Sequence, residues 1–416
     1  MKRVRLLLAA LMVALLATVG TAPSALADQA VLDGEPVPGL STDPENPVDL
    51  TAGRWQATLE PTGSDLQFSY TRTSRDSSVF IAVNGASTES DQGYELRTYA
   101  TNADRTTCGD SRVSSSMSMP AQVLGVNVVV GPKEHGSRDS QCLITDVVRF
   151  TIGRGNASFD EPLPLSITIV EESPLQNAYE SLPTPPDEDP AFVPPTSSEP
   201  TEVVGGTTLA DAPLLEDGSV TGTIAEGQQL FYRVHLDWGQ SVAAQVDVEA
   251  LDEEQQEIVG GWSVDVGIWG YNPVRRSTGS LLDDTDTSGR IGEEGDTLTY
   301  GYGPVRYLNR YGVNSAYAPG DYYLVVGVPP ADDREAVTLS YTLTVEVQGE
   351  PVAGPTYVED EPFLIGPEQR SAVVSGTPRM SGDESDAWFT GRRITGLGLG
   401  VLGLVCLGVG ALRLRR

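Results

Sequence analysis

Apolar and polar residues alternate with a period of two along several segments, and this alternation limits the possible folds more than any other feature of the chain. Such a period places successive side chains on opposite faces of an extended strand. In segment 230–238 one face carries five apolar side chains: Leu230, Tyr232, Val234, Leu236 and Trp238. Segments 66–70, 148–152, 165–169 and 339–347 follow the same pattern. Since no long amphipathic helix lies between the two ends of the chain, we predict an all-β fold.

The N-terminus has the pattern of a secretory signal peptide. It begins with basic residues, continues with an apolar run from Leu6 to Val19, and reaches Ala25-Leu26-Ala27 just before Asp28. A basic region, an apolar region and a small-residue cleavage site together indicate export. The alternative is an uncleaved N-terminal anchor, but the apolar run is short for a membrane span. We therefore predict a signal peptide over 1–27.

A second apolar run, Ile394 to Leu412, lies close to the C-terminus. It contains 19 residues without a charge, which as a helix would extend about 28 Å, close to the thickness of a bilayer core. Arginines follow it in the tail 413–416. We predict a single-pass protein of the cell membrane, with a transmembrane helix over 394–412, an extracellular N-terminal region and a cytoplasmic basic tail.

Proline-rich segments divide the region between the two apolar runs. Seven prolines occur within residues 182–200, which is typical of an extended linker. We place the linker at 173–204, between a first domain at 45–172 and a second at 205–348. Residues 349–391 are again rich in proline, glycine and acidic residues, which predicts a flexible stalk.

The two domains share a pattern of apolar residues, which suggests a tandem repeat. Leu59, Phe68, Tyr70 and Val79 match Ile224, Tyr232, Val234 and Val242 with nearly equal spacing. A second set matches at a constant offset of 174 residues: Phe150, Leu165, Ile167 and Ile169 with Leu324, Leu339, Tyr341 and Leu343. Alternation alone could produce part of this agreement.

The exported region is strongly acidic. Of the 27 basic residues, three lie in the predicted signal peptide and five flank or follow the predicted membrane helix, so that 27 − 8 = 19 remain against 58 acidic residues, a formal charge of 19 − 58 = −39. Such a charge excludes nucleic acid as a partner and favours cations or basic proteins. Arginine greatly outnumbers lysine, and Ala, Gly, Val and Asp are abundant, which is typical of a high-GC genome such as that of an actinobacterium.

The second domain resembles the bacterial pre-peptidase C-terminal domain. The similarity runs from Gly222-Thr-Ile and Leu230-Phe-Tyr-Arg-Val to Ala318-Pro-Gly-Asp-Tyr-Tyr-Leu-Val-Val and Ser340-Tyr-Thr-Leu-Thr-Val345. The resemblance implies a jelly-roll β-sandwich that acts as an accessory module without catalytic residues. It covers about a third of the chain, and this copy has a longer, aromatic-rich middle and no adjoining peptidase. The whole layout also resembles uncharacterised exported single-pass membrane proteins of actinobacteria. We therefore expect two tandem jelly-roll-like sandwiches.

Cys108 and Cys142 are the only cysteine pair in the exported region. In an oxidising compartment such a pair is expected to form a disulfide. A redox-active pair normally has C-x-x-C spacing, which these residues lack.

Two segments of the second domain could bind a ligand. The acidic loop with Asp283, Asp284, Asp286 and Ser288 offers clustered oxygen ligands before Gly289, as Ca²⁺ requires, although it lacks the final glutamate of an EF-hand; otherwise it is a solvated loop. Eight aromatic residues occur within 262–317: Trp262, Trp269, Tyr271, Tyr300, Tyr302, Tyr307, Tyr311 and Tyr317. Trp262, Trp269 and Tyr271 are candidates for a surface that contacts a glycan or a protein, and the alternative is that these rings fill the sandwich.

Signals for an enzyme are weak, because neither histidine, His135 or His235, belongs to a recognisable catalytic motif. We predict a non-catalytic, membrane-anchored surface protein that needs no cofactor and whose partner is an extracellular protein or glycan. A carbohydrate-binding surface protein is the first alternative, and an enzyme of unrecognised type is the second. A hydrogen-bonded pair of His235 and a carboxylate beside a Ser or Thr hydroxyl would favour the enzyme.

Overall fold

The computed structural model describes the following residues: 34–61, 64–74, 76–86, 95–102, 105–114, 123–131, 142, 145–154, 162–176, 182–184, 190–207, 209, 211–271, 282, 284–311, 316–331, 334–359 and 362–364. Strands dominate these residues, which confirms the all-β prediction. No helix in the described part is long and apolar enough to cross a membrane. The predicted signal peptide and the predicted transmembrane helix both lie outside the described residues.

The first half of the chain forms a β-sandwich of two sheets. One sheet has the strand order β1-β3-β10-β5-β8 and the other β2-β4-β9-β6-β7. The strands are β1 Glu35–Pro36, β2 Val48–Leu50, β3 Gly53–Leu59, β4 Leu66–Thr71, β5 Ser78–Ala86, β6 Glu95–Thr101, β7 Thr107–Ser114, β8 Val123–Val130, β9 Val147–Arg154 and β10 Leu163–Glu172.

The second half forms another β-sandwich. Its sheets have the orders β11-β12-β19-β14-β17 and β13-β18-β15-β16. The strands are β11 Thr201–Glu202, β12 Gly218–Ala225, β13 Gln229–Leu236, β14 Ser241–Val248, β15 Val264–Tyr271, β16 Ser288–Ile291, β17 Asp296–Tyr302, β18 Gly320–Gly327 and β19 Thr338–Gln348. The helix α1, Glu253–Val259, connects β14 to β15, and a 3₁₀ helix, Tyr307–Tyr311, follows β17.

Both sandwiches have the same strand order. Adding nine to each strand number converts β3-β10-β5-β8 into β12-β19-β14-β17, and β4-β9-β6-β7 into β13-β18-β15-β16. The accessory pairings also recur, because β1 runs parallel to β3 as β11 does to β12. A glycine with positive φ starts each first core strand, Gly53 at 147° and Gly218 at 137°, a backbone conformation that side chains with a Cβ rarely adopt.

The residue correspondence predicted for the repeat holds in β9 and β18 but shifts in the last strand. Phe68 pairs with Phe150 and Tyr232 pairs with Leu324, as the offset of 174 requires. In the last strand, however, Gly53 pairs with Ile169 and Gly218 pairs with Val345, an offset of 345 − 169 = 176. A shift of two residues keeps every side chain on the same face, so apolar alternation could not reveal it.

The first sandwich has a core of its own, which contains the predicted disulfide. Its centre is aromatic, with the rings of Phe68 and Phe150 stacked at 5.4 Å between centroids. Cys108 and Cys142 lie buried in the same cluster, and their bond, with Cα atoms 5.5 Å apart, confirms the pairing.

The two sandwiches meet at a buried junction and belong to one compact unit. Phe80 and Val170 of the first sandwich join the core cluster of the second. Arg310 extends from the 3₁₀ helix to Glu172 of β10, where it donates hydrogen bonds to both carboxylate oxygens, one of them at 3.0 Å. The side chains of Arg310 and Glu172 are 2% and 0% exposed. Tyr357 donates a further hydrogen bond to Glu172 at 2.8 Å.

Aromatic rings surround this ion pair. The guanidinium carbon of Arg310 lies 3.4 Å from the centroid of the Tyr307 ring and 5.4 Å from that of Tyr317. Tyr317 in turn stacks on Phe80 at 5.8 Å. Burial by itself lowers the pKa of Arg310, but the charge of Glu172 raises it, and the net pKa lies above the ordinary value. The arginine is therefore a permanent cation in this junction.

The segment after the second sandwich returns to the first, where it forms what we call the strap, residues 350–364. Tyr357 bridges to Leu175, and β20, Phe363–Leu364, pairs antiparallel with Glu171 and Glu172 of β10. The prediction of a flexible stalk from residue 349 is thus wrong for the described end of the strap, because its backbone satisfies hydrogen bonds of the first sandwich.

The proline-rich linker also lies against the second sandwich. The backbone N–H of Thr196 donates to Glu346 at 2.6 Å, and Ser198 and Ser219 exchange backbone-to-hydroxyl hydrogen bonds at 3.1 and 2.9 Å. The described part, 190–202, is extended as predicted, but it follows the sheet edge instead of spacing two independent domains.

Glu171, next to the junction, holds the turn between β4 and β5. Its buried carboxylate accepts hydrogen bonds from the Ser77 hydroxyl at 2.6 Å, from the Tyr70 hydroxyl, and from the backbone N–H groups of Thr73 and Ser74, each at 2.9 Å. Burial raises the pKa of Glu171, but these hydrogen bonds lower it by more than burial raises it. The net pKa lies below the usual 4.5. The folded protein therefore favours the ionised form more than the unfolded chain does.

We expect the substitution Glu171→Gln to lower the free energy of unfolding at pH 7 by about 2–3 kcal/mol, because the amide offers NH₂ where donors point. A depressed carboxyl pKa contributes stability that is present above the unfolded pKa and is lost as pH falls through the folded value. In urea unfolding from pH 7 to about pH 2, the difference between the wild type and the variant should thus start to shrink below about pH 4.5 and disappear only below the lower folded pKa. Parallel pH profiles would contradict this role, and the exposed Glu335→Gln serves as the control.

Candidate binding surfaces

The outer face of the sheet β13-β18-β15-β16 collects several residues that the sequence singles out. Phe231 of β13 and Trp269 of β15 both pair with Val325 of β18. One pair further along β13, Arg233 lies opposite Tyr323, and beyond it His235 lies opposite Asp321. Directly opposite residues share a face, so the apolar row and the polar row are neighbours on one surface.

The apolar row is largely covered. Phe231, Tyr323 and Val325 are buried with Ala212, which belongs to a segment that pairs with the edge of β13 at Gly206 and Leu214. Trp269 is half-buried against this cluster. Its ring lies over Gly327, where an added Cβ would come within 2.3 Å of Cη2. Trp269 is therefore mainly a packing residue, with one edge at the surface.

The polar row contains a histidine held by a carboxylate. Asp321, almost fully buried, contacts Nδ1 of His235 at 2.9 Å and accepts a hydrogen bond from Arg233 at 3.2 Å. Asp237 approaches the other ring nitrogen to 3.9 Å. A carboxylate that fixes an imidazole can orient a general base. Among the described residues, however, no Ser or Thr hydroxyl is hydrogen-bonded to His235, so the arrangement has a base and an orienting acid but no aligned nucleophile.

A different surface lies around Trp262, where α1 leads into β15. Asp252 caps the helix, since its carboxylate accepts from the N–H of Gln255 at 2.8 Å while the Gln255 side chain accepts from the N–H of Asp252 at 2.9 Å. Gly260, with φ 67°, ends it in the left-handed conformation, and Gly261 follows at 81°. Both helix ends are thus fixed by local chemistry, and the turn presents Trp262 with 81% of its surface exposed.

Acidic residues occur on both chain segments next to Trp262, the helix α1 and the turn after β16. The exposed acidic residues of the helix are Asp252, Glu253, Glu254 and Glu257. A second turn brings Glu293 and Glu294 alongside, because the N–H of Leu251 donates to the carbonyl of Gly292 at 2.9 Å. We call residues 249–262 together with 292–294 the Trp262 surface.

The predicted contact surface of Trp262, Trp269 and Tyr271 does not form a single platform. Trp262 precedes β15 in the turn after α1 and is exposed, whereas Trp269 lies within β15 and is half-buried. Tyr271 of β15 pairs with Tyr323, and its side chain lies outside the described part. Four other members of the aromatic cluster are buried and fill the core, as the alternative interpretation has it: Tyr300, Tyr302, Tyr307 and Tyr317.

The candidate calcium loop leads into β16. Asp284 adopts a left-handed conformation with φ 59°, and Asp286 exchanges hydrogen bonds with Thr299 at 2.8 and 2.6 Å. Ser288 is the first residue of β16, and Asp283 lies outside the described residues. In the part of the chain that the structure describes, no three His, Cys, Asp or Glu side chains are grouped as a metal site would require.

Comparisons with other proteins identify no relative by name. No known protein family matches the chain, and no curated protein matches it. Solved structures give weak likenesses only. The chain is 10% identical to a Cowpea mosaic virus top component chain, covering 84% of this chain and 96% of that one with a TM-score of 0.18. The chain is 9% identical to the ANX2 ectodomain from Arabidopsis thaliana, covering 72% of this chain and 85% of that one with a TM-score of 0.19. It is 10% identical to the CUB1-EGF-CUB2 domains of rat MASP-1, covering 71% of this chain and 99% of that one with a TM-score of 0.14. Scores this low carry no argument about function.

Sequence reasoning missed the contact between His235 and Asp321 and the junction at Arg310. Asp321 could have been found by pairing β13 with β18 in register, since it follows Gly320 at the start of the strand. Arg310 and Glu172 are 138 residues apart in the sequence and belong to different sandwiches, so no local sequence pattern predicts their ion pair.

Proposed function

We propose that this chain is an exported, single-pass membrane protein whose two tandem jelly rolls present a non-catalytic binding surface outside the cell. The two strand orders support this proposal, because eight strands folded into two Greek keys make a jelly roll. The resemblance of the second sandwich to pre-peptidase C-terminal domains, and of the whole layout to exported actinobacterial proteins, agrees with an accessory role. The proposal assigns no cofactor; Ca²⁺ at the 283–288 loop is the remaining metal hypothesis.

One observation carries the binding function: the exposed ring of Trp262 on a backbone that is fixed by the helix end. Tryptophan is enriched where partners bind, because it buries a large area with little loss of side-chain entropy. A helix capped at both ends and a turn of two left-handed glycines hold the ring at the surface. This geometry suits contact with a partner and performs no chemistry of its own.

A second candidate function, glycan binding, rests on the outer face of β13-β18-β15-β16. There the half-buried Trp269 lies on the same sheet face as the polar side chains of Arg233 and His235, a combination of aromatic and hydrogen-bonding groups that suits a sugar ring. Trp262 lies on another part of the sandwich, so alanine at 262 and at 269 separates the two candidates. The His235–Asp321 pair is the observation that favours the other alternative, an enzyme of unrecognised type.

Topology can be measured by cysteine labelling in intact cells. In a Cys406→Ala background, Glu254→Cys on the Trp262 surface should react with a membrane-impermeant maleimide. Leu414→Cys in the tail should react only after the cells are permeabilised, because the positive-inside rule places that tail in the cytoplasm. The mature N-terminus should lie at or near Asp28. Protection of position 254 in intact cells would refute the proposed topology.

Binding can be tested by placing a photo-crosslinking amino acid at position 262 in living cells. We expect discrete crosslinked products at 262 and none at 204, where Val204 is 79% exposed and serves as the matched apolar control. Equal yields at the two positions would contradict a binding role for Trp262.

A further inference from the structure

We propose that the Trp262 surface binds a cationic segment of a partner protein, in which a lysine or arginine side chain contacts the indole ring. This inference rests on the proposed binding function and names the class of partner. It uses three properties of the described residues: the exposure of the ring, its fixed position, and the sign of the surrounding charge.

The ring is unusual among the exposed apolar side chains of the described chain. The other large ones are aliphatic: Leu40, Val193, Val204, Leu214, Val352, Val358 and Leu364. Single exposed aliphatic residues are normal on protein surfaces. An indole ring differs, because its face attracts cations more strongly than that of any other side chain.

The backbone that carries the ring is also held in place. The N–H of Gly260 donates to the carbonyls of Gln256 and Glu257 at 3.0 and 3.2 Å, and the N–H of Trp262 donates to that of Val259 at 3.4 Å. Val259 is buried, and Gln255 bonds the carbonyl of Thr338 in β19 at 2.6 Å. Because the turn is anchored to the sandwich, binding would cost little ordering entropy.

The charge around the ring selects a cation. Seven exposed carboxylates belong to the Trp262 surface, and the last turn of α1 has no basic residue to offset the negative end of the helix dipole. The nearby Arg290 is paired with Asp265 at 3.3 Å. Anionic lipid and acidic glycans would be repelled, and a neutral sugar could donate hydrogen bonds to the carboxylates but would not neutralise their charge. A basic protein segment can place one cationic side chain on the indole ring and others near the carboxylates.

The test measures binding of a fluorescently labelled, alternating Lys-Gly peptide to the full chain in detergent micelles, by fluorescence anisotropy. We expect Trp262→Ala to weaken binding about tenfold or more, and Val204→Ala to leave it unchanged. The triple variant Glu253→Gln, Glu254→Gln, Glu257→Gln should weaken binding at about 0.05 M NaCl, and this difference should shrink at about 0.5 M. A Gln-Gly peptide of equal length should not bind.

A second triple variant provides the charge-matched control: Glu199→Gln, Glu202→Gln, Glu350→Gln, all at exposed positions elsewhere. It should bind the Lys-Gly peptide like the wild type. Equal weakening by both triples would show attraction to net charge alone and would overturn the inference, as would unchanged affinity of Trp262→Ala. If the peptide does not bind while the crosslinks at 262 persist in cells, the cationic class is wrong and the proposed function stands. Loss of both refutes both.

Discussion

Replacing Arg310 with methionine should lower the free energy of unfolding by about 3–5 kcal/mol, because it leaves the carboxylate of Glu172 buried without its cation. The side chain of Glu172 is fully buried, so water cannot solvate the charge that the substitution leaves unpaired. The hydrogen bond from Tyr357 remains in the variant, but a neutral donor compensates a buried charge only in part.

Three further variants make this measurement specific. The double variant Arg310→Met, Glu172→Met should recover much of the loss, because an apolar pair can replace a buried ion pair. Arg290→Met, which removes an exposed ion pair with Asp265, should change stability by less than about 1 kcal/mol. Urea denaturation followed by circular dichroism gives all the values. If Arg310→Met costs no more than Arg290→Met, the junction does not stabilise the fold.

Removing the disulfide should cost about 3–4 kcal/mol, the loop-closure entropy of a chain bridged over about 34 residues. The bond joins Cys108 of β7 to Cys142, two buried positions 34 residues apart. The matched experiment compares urea unfolding of the wild type with that of Cys108→Ala, Cys142→Ala. Both alanines fit the buried space, so lost packing is small beside the entropy of the unfolded chain.

Two controls separate the crosslink from side effects. A reductant should lower the free energy of unfolding of the wild type to about that of the double variant. It should leave the double variant unchanged. Cys406→Ala should have no effect, because Cys406 lies in the predicted membrane helix. A difference below about 1 kcal/mol between wild type and double variant would mean that the unfolded chain retains structure in this loop, against the entropic account.

The sequence predicted the elements of the fold well, because strands are encoded locally. Alternation of apolar side chains located β13 and β19 within a few residues, and the spacing of Phe150 and Leu324 matched the strands that prove equivalent. The pair Cys108 and Cys142 followed from counting cysteines. In each case one short pattern carries the information.

Long-range features could not be predicted in the same way. Two interpretations stayed open for the aromatic residues within 262–317, because composition does not tell which face of a strand points inward. Tyr300, Tyr302, Tyr307 and Tyr317 are core. Trp262 is exposed for a reason the sequence does contain, the Gly260-Gly261 turn after a capped helix, but only the structure shows that the turn faces water. The ion pair at Arg310 depends on how two sandwiches pack, which neither half encodes alone.

The strap gives the molecule a mechanical property. β20 pairs with β10 over two residues only. In the proposed membrane topology, tension on the tether, the chain after β20, would act first on this short pairing. If a bound partner draws the second sandwich away from the tether, the strap can peel before any core strand is extracted. Its 15 residues, 350–364, could then span at most about 50 Å at about 3.4 Å per residue, and the excess over their folded span would become free length. The strap would thus act as a reserve of length that yields under tension while both sandwiches stay folded.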